Sequence, residues 1–239
     1  MGKKLAVIQS NYIPWKGYFD IINMVDEFIL FDDAQFTKRD WRNRNVIKTR
    51  DGLQWLTIPV EVKGKFYQKI NETRINDLNW GKDHWNKILH NYSRARYFNE
   101  YKEIFRELYH KIDTNMLSIV NFKFLKTICE ILGIKTKLSW SSDYVLIEGK
   151  TERLISICQQ AGADIYYTGP TAKDYMEEDK FKKANIEIVY YDYSGYPEYT
   201  QLFGDFEHKV SVLDLIFNVG DDSIKYMKSF TPSLSVDFY

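Results

Sequence analysis

The chain has 239 residues with 33 basic and 33 acidic side chains, so no net field draws it to DNA, RNA or an anionic membrane. It is long enough to bury one full hydrophobic core and short for two, and one α/β domain over residues 1–239 is expected. No segment approaches the roughly 20 apolar residues of a membrane span, and the apolar run at residues 5–8 is too short for a signal peptide, so a cytoplasmic protein is expected.

In chain order, residues 4–9 read as a short buried strand. The polar SNYIPWKG follows, and residues 17–25 then carry helical apolar spacing at Phe19, Ile22 and Val25. Residues 27–33 form a second buried strand that ends in two acids. Strand, short helix and strand in this length predict a βαβ unit and hence a parallel sheet. Residues 34–45 are polar, basic and aromatic and read as a loop at the carboxyl end of that strand. Residues 45–60 predict a hairpin turning at Asp51-Gly52, with Leu56, Ile58 and Val60 on one face and Trp55, Thr57 and Pro59 on the other. Residues 69–75 are a further strand candidate.

From Trp80 the period becomes helical. Trp85, Ile88, Leu89 and Tyr92 share one face, Tyr101, Ile104, Phe105 and Leu108 another, and residues 116–132 give a third helix closed by Gly133. Three consecutive helices between strands predict a helical insertion over residues 80–133. The α/β pattern then resumes with a strand at 136–144, a helix at 151–161 stopped by Gly162, and a strand at 164–168 that enters the turn TGPTAKDYM. A charged helix, a strand at 186–193 and a helix at 211–219 stopped by Gly220 complete the pattern, and residues 230–239 read as a surface or partner-bound tail. The expected fold is α/β, mainly a parallel sheet with flanking helices. Cys129 and Cys158 lie in apolar helical patterns outside any metal-ligand spacing and read as reduced core thiols.

Three stretches are candidates for chemistry. The first, Gln9, Asn11, Tyr12, Trp15, Lys16 and Gly17, joins the first strand to the first helix, where open α/β sheets bind ligands and helix N–H groups favour anions. Gly17 would admit a phosphate or a ring; the plainer reading is a rigid turn closed by Pro14 with Trp15 packed. The second runs from Asp32 to Asn45. Lys38, Arg39, Arg42 and Arg44 surround Trp41, and arginine forks suit phosphate and carboxylate. Trp41 or Phe36 would stack on a base or sugar, and Asp32 or Asp33 would hold Mg²⁺ or a hydroxyl; the plainer reading is a solvated loop partly neutralised by Asp40. The third carries Thr168, Gly169, Lys173 and Tyr175, which read either as phosphate and hydroxyl contacts or as an ordinary strand-to-helix turn capped by Thr171. Of the four histidines, His84 is a candidate general base or a surface residue. Neither HExxH, GxSxG, a Walker A loop nor GxGxxG occurs, which excludes the common assignments to hydrolases, P-loop enzymes and Rossmann dehydrogenases.

The runs IQSNYIPWKGYFDII, DDAQFTKRDWRNRN, WGKDHW, YYTGPTAKDYM and SVLDLIFNVG, taken in order and spacing, resemble the WbqC-like family over residues 5–220. That resemblance implies a place among bacterial surface-polysaccharide and O-antigen proteins, some of them labelled glycine or amino-sugar acyl transferases. The N-terminal arrangement is also similar to the nucleotidyl-transferase-like fold of pantothenate synthetase, in which an HxGH motif follows the first strand. Here Trp15, Lys16, Gly17 and Tyr18 stand at those positions, so the glycine is kept and both histidines are missing.

The activity expected from the resemblance is amide formation between a small carboxylic or amino acid, such as glycine, and the amine of a nucleotide-linked amino sugar. ATP and Mg²⁺ would activate the acid as an acyl-adenylate. Lys16, Gly17 and the arginines would hold phosphates, Asp32 or Asp33 would place the metal or a sugar hydroxyl, and His84 would take the proton. An acyltransferase using acyl-CoA or aminoacyl-tRNA, or a non-catalytic sugar-nucleotide-binding module, are the alternatives. This site assignment requires the three stretches to share one pocket, with Arg42 and Gly169 on the same side of the molecule. The sequence leaves the oligomeric state open.

Overall fold

Leu5, Ala6 and Val7 are consecutive apolar residues, and all three are buried. A strand with no polar face belongs at the centre of a parallel sheet covered on both sides. The computed structural model describes residues 2–230, so the expected tail lies, apart from Phe230, outside the described residues. β1 (Lys4–Ile8) passes through α1 (Lys16–Asn23) into β2 (Glu27–Leu30), the expected parallel βαβ unit, with Leu5 opposite Glu27 and Ile8 opposite Leu30. A hairpin of β3 (Arg44–Thr49) and β4 (Gly52–Thr57) follows, then α2 (Trp80–Tyr92), α3 (Phe98–His110) and α4 (Leu117–Ile131). β5 (Lys137–Trp140), α5 (Lys150–Ala161), β6 (Ile165–Thr168), α6 (Glu178–Lys183), β7 (Glu187–Tyr190) and α7 (Val212–Val219) complete the described elements.

The sheet is five-stranded and parallel, in the order β5-β2-β1-β6-β7. Renumbered along the sheet, this is the 3-2-1-4-5 order of doubly wound folds, consistent with a nucleotidyl-transferase-like architecture. Alternate side chains enter two cores. Ala6, Phe28, Leu30 and Tyr167 face α1, α2, α3, α4, α7 and the hairpin. Leu5, Val7, Ile29 and Tyr166 face α5 and α6. Burying each large apolar side chain contributes about 1.5–3 kcal/mol. Cys129 and Cys158 are free and buried, one in each core.

Gly133 and Gly162 end α4 and α5 in the left-handed region, at φ +72° and +67°, and Ser211 caps α7 by accepting the Leu213 N–H at 3.3 Å. Three local expectations are corrected. The hairpin turns on Arg50 and Asp51, because Gly52, at φ +103°, already pairs with Thr49, whose hydroxyl bridges Asp51 N and Gly52 O. Residues 69–75 form no strand. Lys69, Ile75 and Arg74 bridge singly to three different partners (Gln35, Val60 and Met116), and a 3₁₀ turn at Ile70–Glu72 intervenes. Leu89 and Ile104 are exposed, since the buried arcs of α2 and α3 are centred on Trp85, Ile88 and Tyr92 and on Phe98, Tyr101, Phe105 and Tyr109. Among the described residues, no helix is long and apolar enough to cross a membrane.

Candidate functional site

The chain leaves β1 toward β2 and leaves β6 toward β7, on opposite sides, although β1 and β6 are neighbours. Such divergence opens a crevice at the carboxyl ends of the two strands. A cavity of about 720 Å³ lies there. Gln9, Asn11 and Trp15 line it from the loop after β1, Thr168, Gly169 and Tyr175 from the segment after β6, and Arg42 from the loop after β2. Arg42 and Gly169 therefore share one cavity. A second cavity of about 610 Å³ adjoins it, and the two share Asn11, Trp15, Trp41 and Tyr193 as a waist. The smaller chamber is completed by Pro14, Asn45, the stretch from Ser194 to Tyr196, His208 and Lys209.

Buried hydrogen bonds set this geometry. Arg42 donates to the Asn11 side-chain oxygen and, at 3.3 Å, to the Gln9 carbonyl, tying the basic loop to the end of β1. Asn45 donates to the carbonyls of Tyr12 and Ile13, each at 3.0 Å. That grip holds Ile13 at φ +37°, a conformation a β-branched residue rarely adopts. Trp15 packs on Tyr193 and Tyr196 with ring centroids 5.3 Å apart. The segment after β7 is fixed from beneath by two buried lysines. Lys16 donates to the Pro197 carbonyl at 2.9 Å, and Lys48 donates to Gln201 at 2.9 Å and to the Asp205 carbonyl.

Several sequence candidates turn out to be internal. Lys16 is 3% exposed, caged by Tyr196, Tyr199 and Phe206, and burial lowers its pKa to about 8. It braces the cleft wall and lines neither chamber, which corrects the expectation of a phosphate contact. Gly17 also has another purpose: a Cβ there would overlap the Trp15 indole, so the missing side chain seats that ring rather than admitting a phosphate. Gly17→Ala should displace Trp15, cost about 1–3 kcal/mol, and shift the tryptophan emission maximum. An unchanged spectrum and melting temperature would contradict this.

His84 is buried between the Tyr12 hydroxyl, 2.9 Å from Nδ1, and the Thr57 carbonyl, 3.2 Å from Nε2. The carbonyl can only accept, so Nε2 carries the proton and Nδ1 accepts from Tyr12. Burial first, and then the charge of Lys87, lower the His84 pKa to about 3. His84 is a core residue and not the cleft's general base, and Tyr12 is buried with it, its hydroxyl 2.7 Å from that of Tyr109. Asp32 is 1% exposed and accepts from Ser10 N and Oγ, at 2.8 and 2.7 Å, and from Ser118. Burial raises its carboxyl above the ordinary range against the pull of those donors. Asp32 is thus a brace between β1, β2 and α4, which replaces the expected metal ligand. Asp33 faces Ser141 at 2.8 Å and Asn71 at 3.3 Å, outside both chambers. Arg39 is exposed, Arg44 lies on the outer face of Trp55 at 4.1 Å, and Lys173 covers Tyr190 at 4.9 Å, so these three also miss the cleft.

In their place the structure brings Lys150 and Arg153 from the first turn of α5, Tyr166 and Tyr193 beside Tyr18 as aromatic wall, and His208 with Lys209 in the smaller chamber. The basic start of α5 was visible in EGKTERL, but its glutamates masked it. No Asp or Glu lines either chamber, and no cluster of three His, Cys, Asp or Glu able to hold a metal occurs among the described residues. Mg²⁺ favours carboxylate oxygens, so the residues present do not fit a protein-held Mg²⁺.

No solved structure gives a significant match to this chain. The uncharacterized protein Rv1507c of Mycobacterium tuberculosis is 52% identical over 226 residues, covering 95% of this chain and 98% of the relative. The profile of the WbqC-like protein family matches residues 9–226, from the loop after β1 to just beyond α7. Of the residues that line the two chambers, all but Val7 and Ile8 fall within that match, and the chain belongs to the WbqC-like protein family.

Proposed function

We propose that this protein transfers a small acyl group to the amine of a nucleotide-linked amino sugar in bacterial surface-polysaccharide synthesis. The observation that carries the reading is the waist: two chambers of about 720 and 610 Å³ meet at Asn11, Trp15, Trp41 and Tyr193, so two ligands can lie end to end with their reacting groups at one place. Holding two reactants in this way can supply about 7–11 kcal/mol of a bimolecular barrier. The larger chamber, with its cations and tyrosines, suits a nucleotide-linked sugar. The smaller, more apolar chamber suits the acyl donor. The resemblance to surface-polysaccharide proteins supplies the metabolic setting.

In the reaction the amine nitrogen attacks the donor carbonyl, a C–N bond forms, the bond to the donor's leaving group breaks, and the ammonium proton departs. Of the four histidines, His208 alone lines the cleft and is the proton acceptor in this scheme. A preformed donor, such as a thioester or an aminoacyl ester, is favoured over activation inside the cleft, because the walls offer no carboxylate for Mg²⁺.

The test incubates purified protein with nucleotide-linked amino sugars and acyl-CoA or aminoacyl-tRNA donors and reads the sugar nucleotide by mass spectrometry. The expected result is an added acyl mass only with an amino sugar, with a rate about 10²–10⁴-fold lower in His208→Ala. Thermal shift on the same panel should show stabilisation by the acceptor. Stabilisation without product from any donor would replace the transferase with a binding module, and no stabilisation by any sugar nucleotide would sink the reading altogether.

A further inference from the structure

The chain as a whole is electrically balanced, with 33 basic and 33 acidic residues, but the larger chamber is not: Arg42, Lys150 and Arg153 line it and no Asp or Glu does. The acids nearest these cations in sequence are engaged or turned outward. Glu152 pairs with Lys180 at 2.5 Å and does not line the chamber, and Asp40 reaches one end of the Arg42 guanidinium at 3.5 Å. Arg42 is largely committed to Asn11, Gln9 and Asp40. Arg153 spends Nε on the Ile147 carbonyl at 2.7 Å, which leaves its two terminal nitrogens, and Lys150 makes no ion pair among the described residues. Both residues stand in the first turn of α5, a 12-residue helix whose N-terminal peptide dipoles add to the same positive field. Across the chamber the wall is polar and uncharged, with Thr168, Gly169 and Thr171.

An uncompensated group of cations in a concave wall is completed by an anion. We propose that Lys150 and Arg153 form a diphosphate subsite in the larger chamber, and that it binds the diphosphate of the nucleotide-linked sugar directly, without a divalent cation. This rests on the reading that the larger chamber holds a nucleotide. Arginine grips two phosphate oxygens with its fork and lysine neutralises as a point charge. Mg²⁺ would compete with both side chains for the same oxygens, would bring a further positive charge beside three cations, and would find no carboxylate on the wall. The diphosphate then lies at the α5 side, and the sugar it carries points to the waist where transfer takes place.

The experiment is calorimetric titration of the full chain with nucleoside diphosphates and, separately, inorganic pyrophosphate, each in EDTA and in excess Mg²⁺. Wild type is expected to bind a nucleoside diphosphate at least as tightly in EDTA as in Mg²⁺, with affinity falling steeply as salt rises. Lys150→Ala and Arg153→Ala should each weaken it about tenfold to a hundredfold, while the parent nucleoside binds all proteins alike. Both side chains are at least partly exposed, so the variants should fold, which their melting temperatures check. Tightening of more than about tenfold by Mg²⁺, or equal binding by a doubly substituted protein, would overturn the inference and leave the transferase reading standing. If pyrophosphate binds through Lys150 and Arg153 but no nucleotide binds more tightly, the diphosphate subsite survives and the nucleotide reading falls.

Discussion

In denaturant titrations, wild type should be about 2 kcal/mol less stable at pH 5 than at pH 7.5 relative to a His84→Gln variant, which should lack most of that loss. The sign follows from the direction of the shift. The unfolded histidine titrates near 6.5, and burial lowers the folded value to about 3. Between those values the unfolded chain takes up a proton that the folded protein refuses. The stabilisation is therefore complete above about pH 6.5 and drains away as pH falls toward 3, by about 1.4 kcal/mol per pH unit. Glutamine retains an amide N–H for the Thr57 carbonyl and an oxygen for the Tyr12 hydroxyl, so it keeps the hydrogen bonds and removes only the titration. Asp32 and Asp214, whose carboxyls burial raises, act in the opposite sense, but they are common to both proteins and cancel in the comparison. His84→Ala, which abandons both hydrogen bonds and leaves a void beside Tyr12 and Trp80, should lie about 3 kcal/mol below His84→Gln at any pH, since neither variant carries the titration. Parallel curves for wild type and the glutamine variant would show that the folded protein protonates His84 as readily as the unfolded chain does, and would overturn the buried neutral imidazole.

The sheet was readable from sequence because its central strands are buried on both faces and appear as unbroken apolar runs, as at Leu5–Ile8 and at Phe28–Leu30. The hairpin was readable for the opposite reason: Leu56 and Ile58 are buried while Trp55 and Thr57 are exposed, a strict alternation. What failed were features decided by partners elsewhere. Ile70 and Ile75 are buried like strand residues, but their N–H groups donate to different segments, at the Ala34 and Asn115 carbonyls, so no ladder forms. Leu89 and Ile104 sit on helical rows that periodicity assigns to the core, but the buried arcs of α2 and α3 run through Trp85, Ile88 and Tyr92 and through Tyr101, Phe105 and Tyr109 and leave them in solvent.

The location of the cleft was legible and its charge distribution was not. Topology sends the loops after β1 and β6 to one edge, so Gln9, Asn11, Trp15, Thr168 and Gly169 had to converge whatever their identity. Reactive side chains inside those motifs were harder to place, because what occupies them is remote in sequence. Lys16 is claimed by Pro197, Asp32 by Ser118 and His84 by Thr57. A local window shows a lysine in a loop; only the fold shows three aromatic rings around it. The same remoteness hid Tyr193, His208 and the first turn of α5. Motif content thus pointed to the edge of the sheet where the two chambers lie, while burial separated the residues that line them from those that brace the fold.

Arg42→Ala should weaken nucleotide-linked sugar binding about a hundredfold, while Arg44→Ala should leave it within about threefold. The two arginines are two residues apart in the same basic stretch, and the sequence reading assigns them one role. The structure separates them. Arg42 enters the larger chamber with its guanidinium oriented by Asn11, Gln9 and Asp40. Arg44 stacks outside, on Trp55. Removing Arg42 takes away a cation from the chamber and also releases Asn11, which belongs to the waist, so turnover should fall more than affinity because the two reacting groups lose registry. Arg42→Lys should recover charge but little rate, since a single ammonium cannot hold Asn11 and the Gln9 carbonyl while meeting a ligand. Calorimetry gives the affinities, a melting curve checks that Arg42→Ala is folded, and the acyl-transfer assay gives the rates. Equal loss in both alanine variants would mean a diffuse basic surface that attracts anions. Wild-type affinity and turnover in Arg42→Ala would remove the larger chamber from the function of this protein.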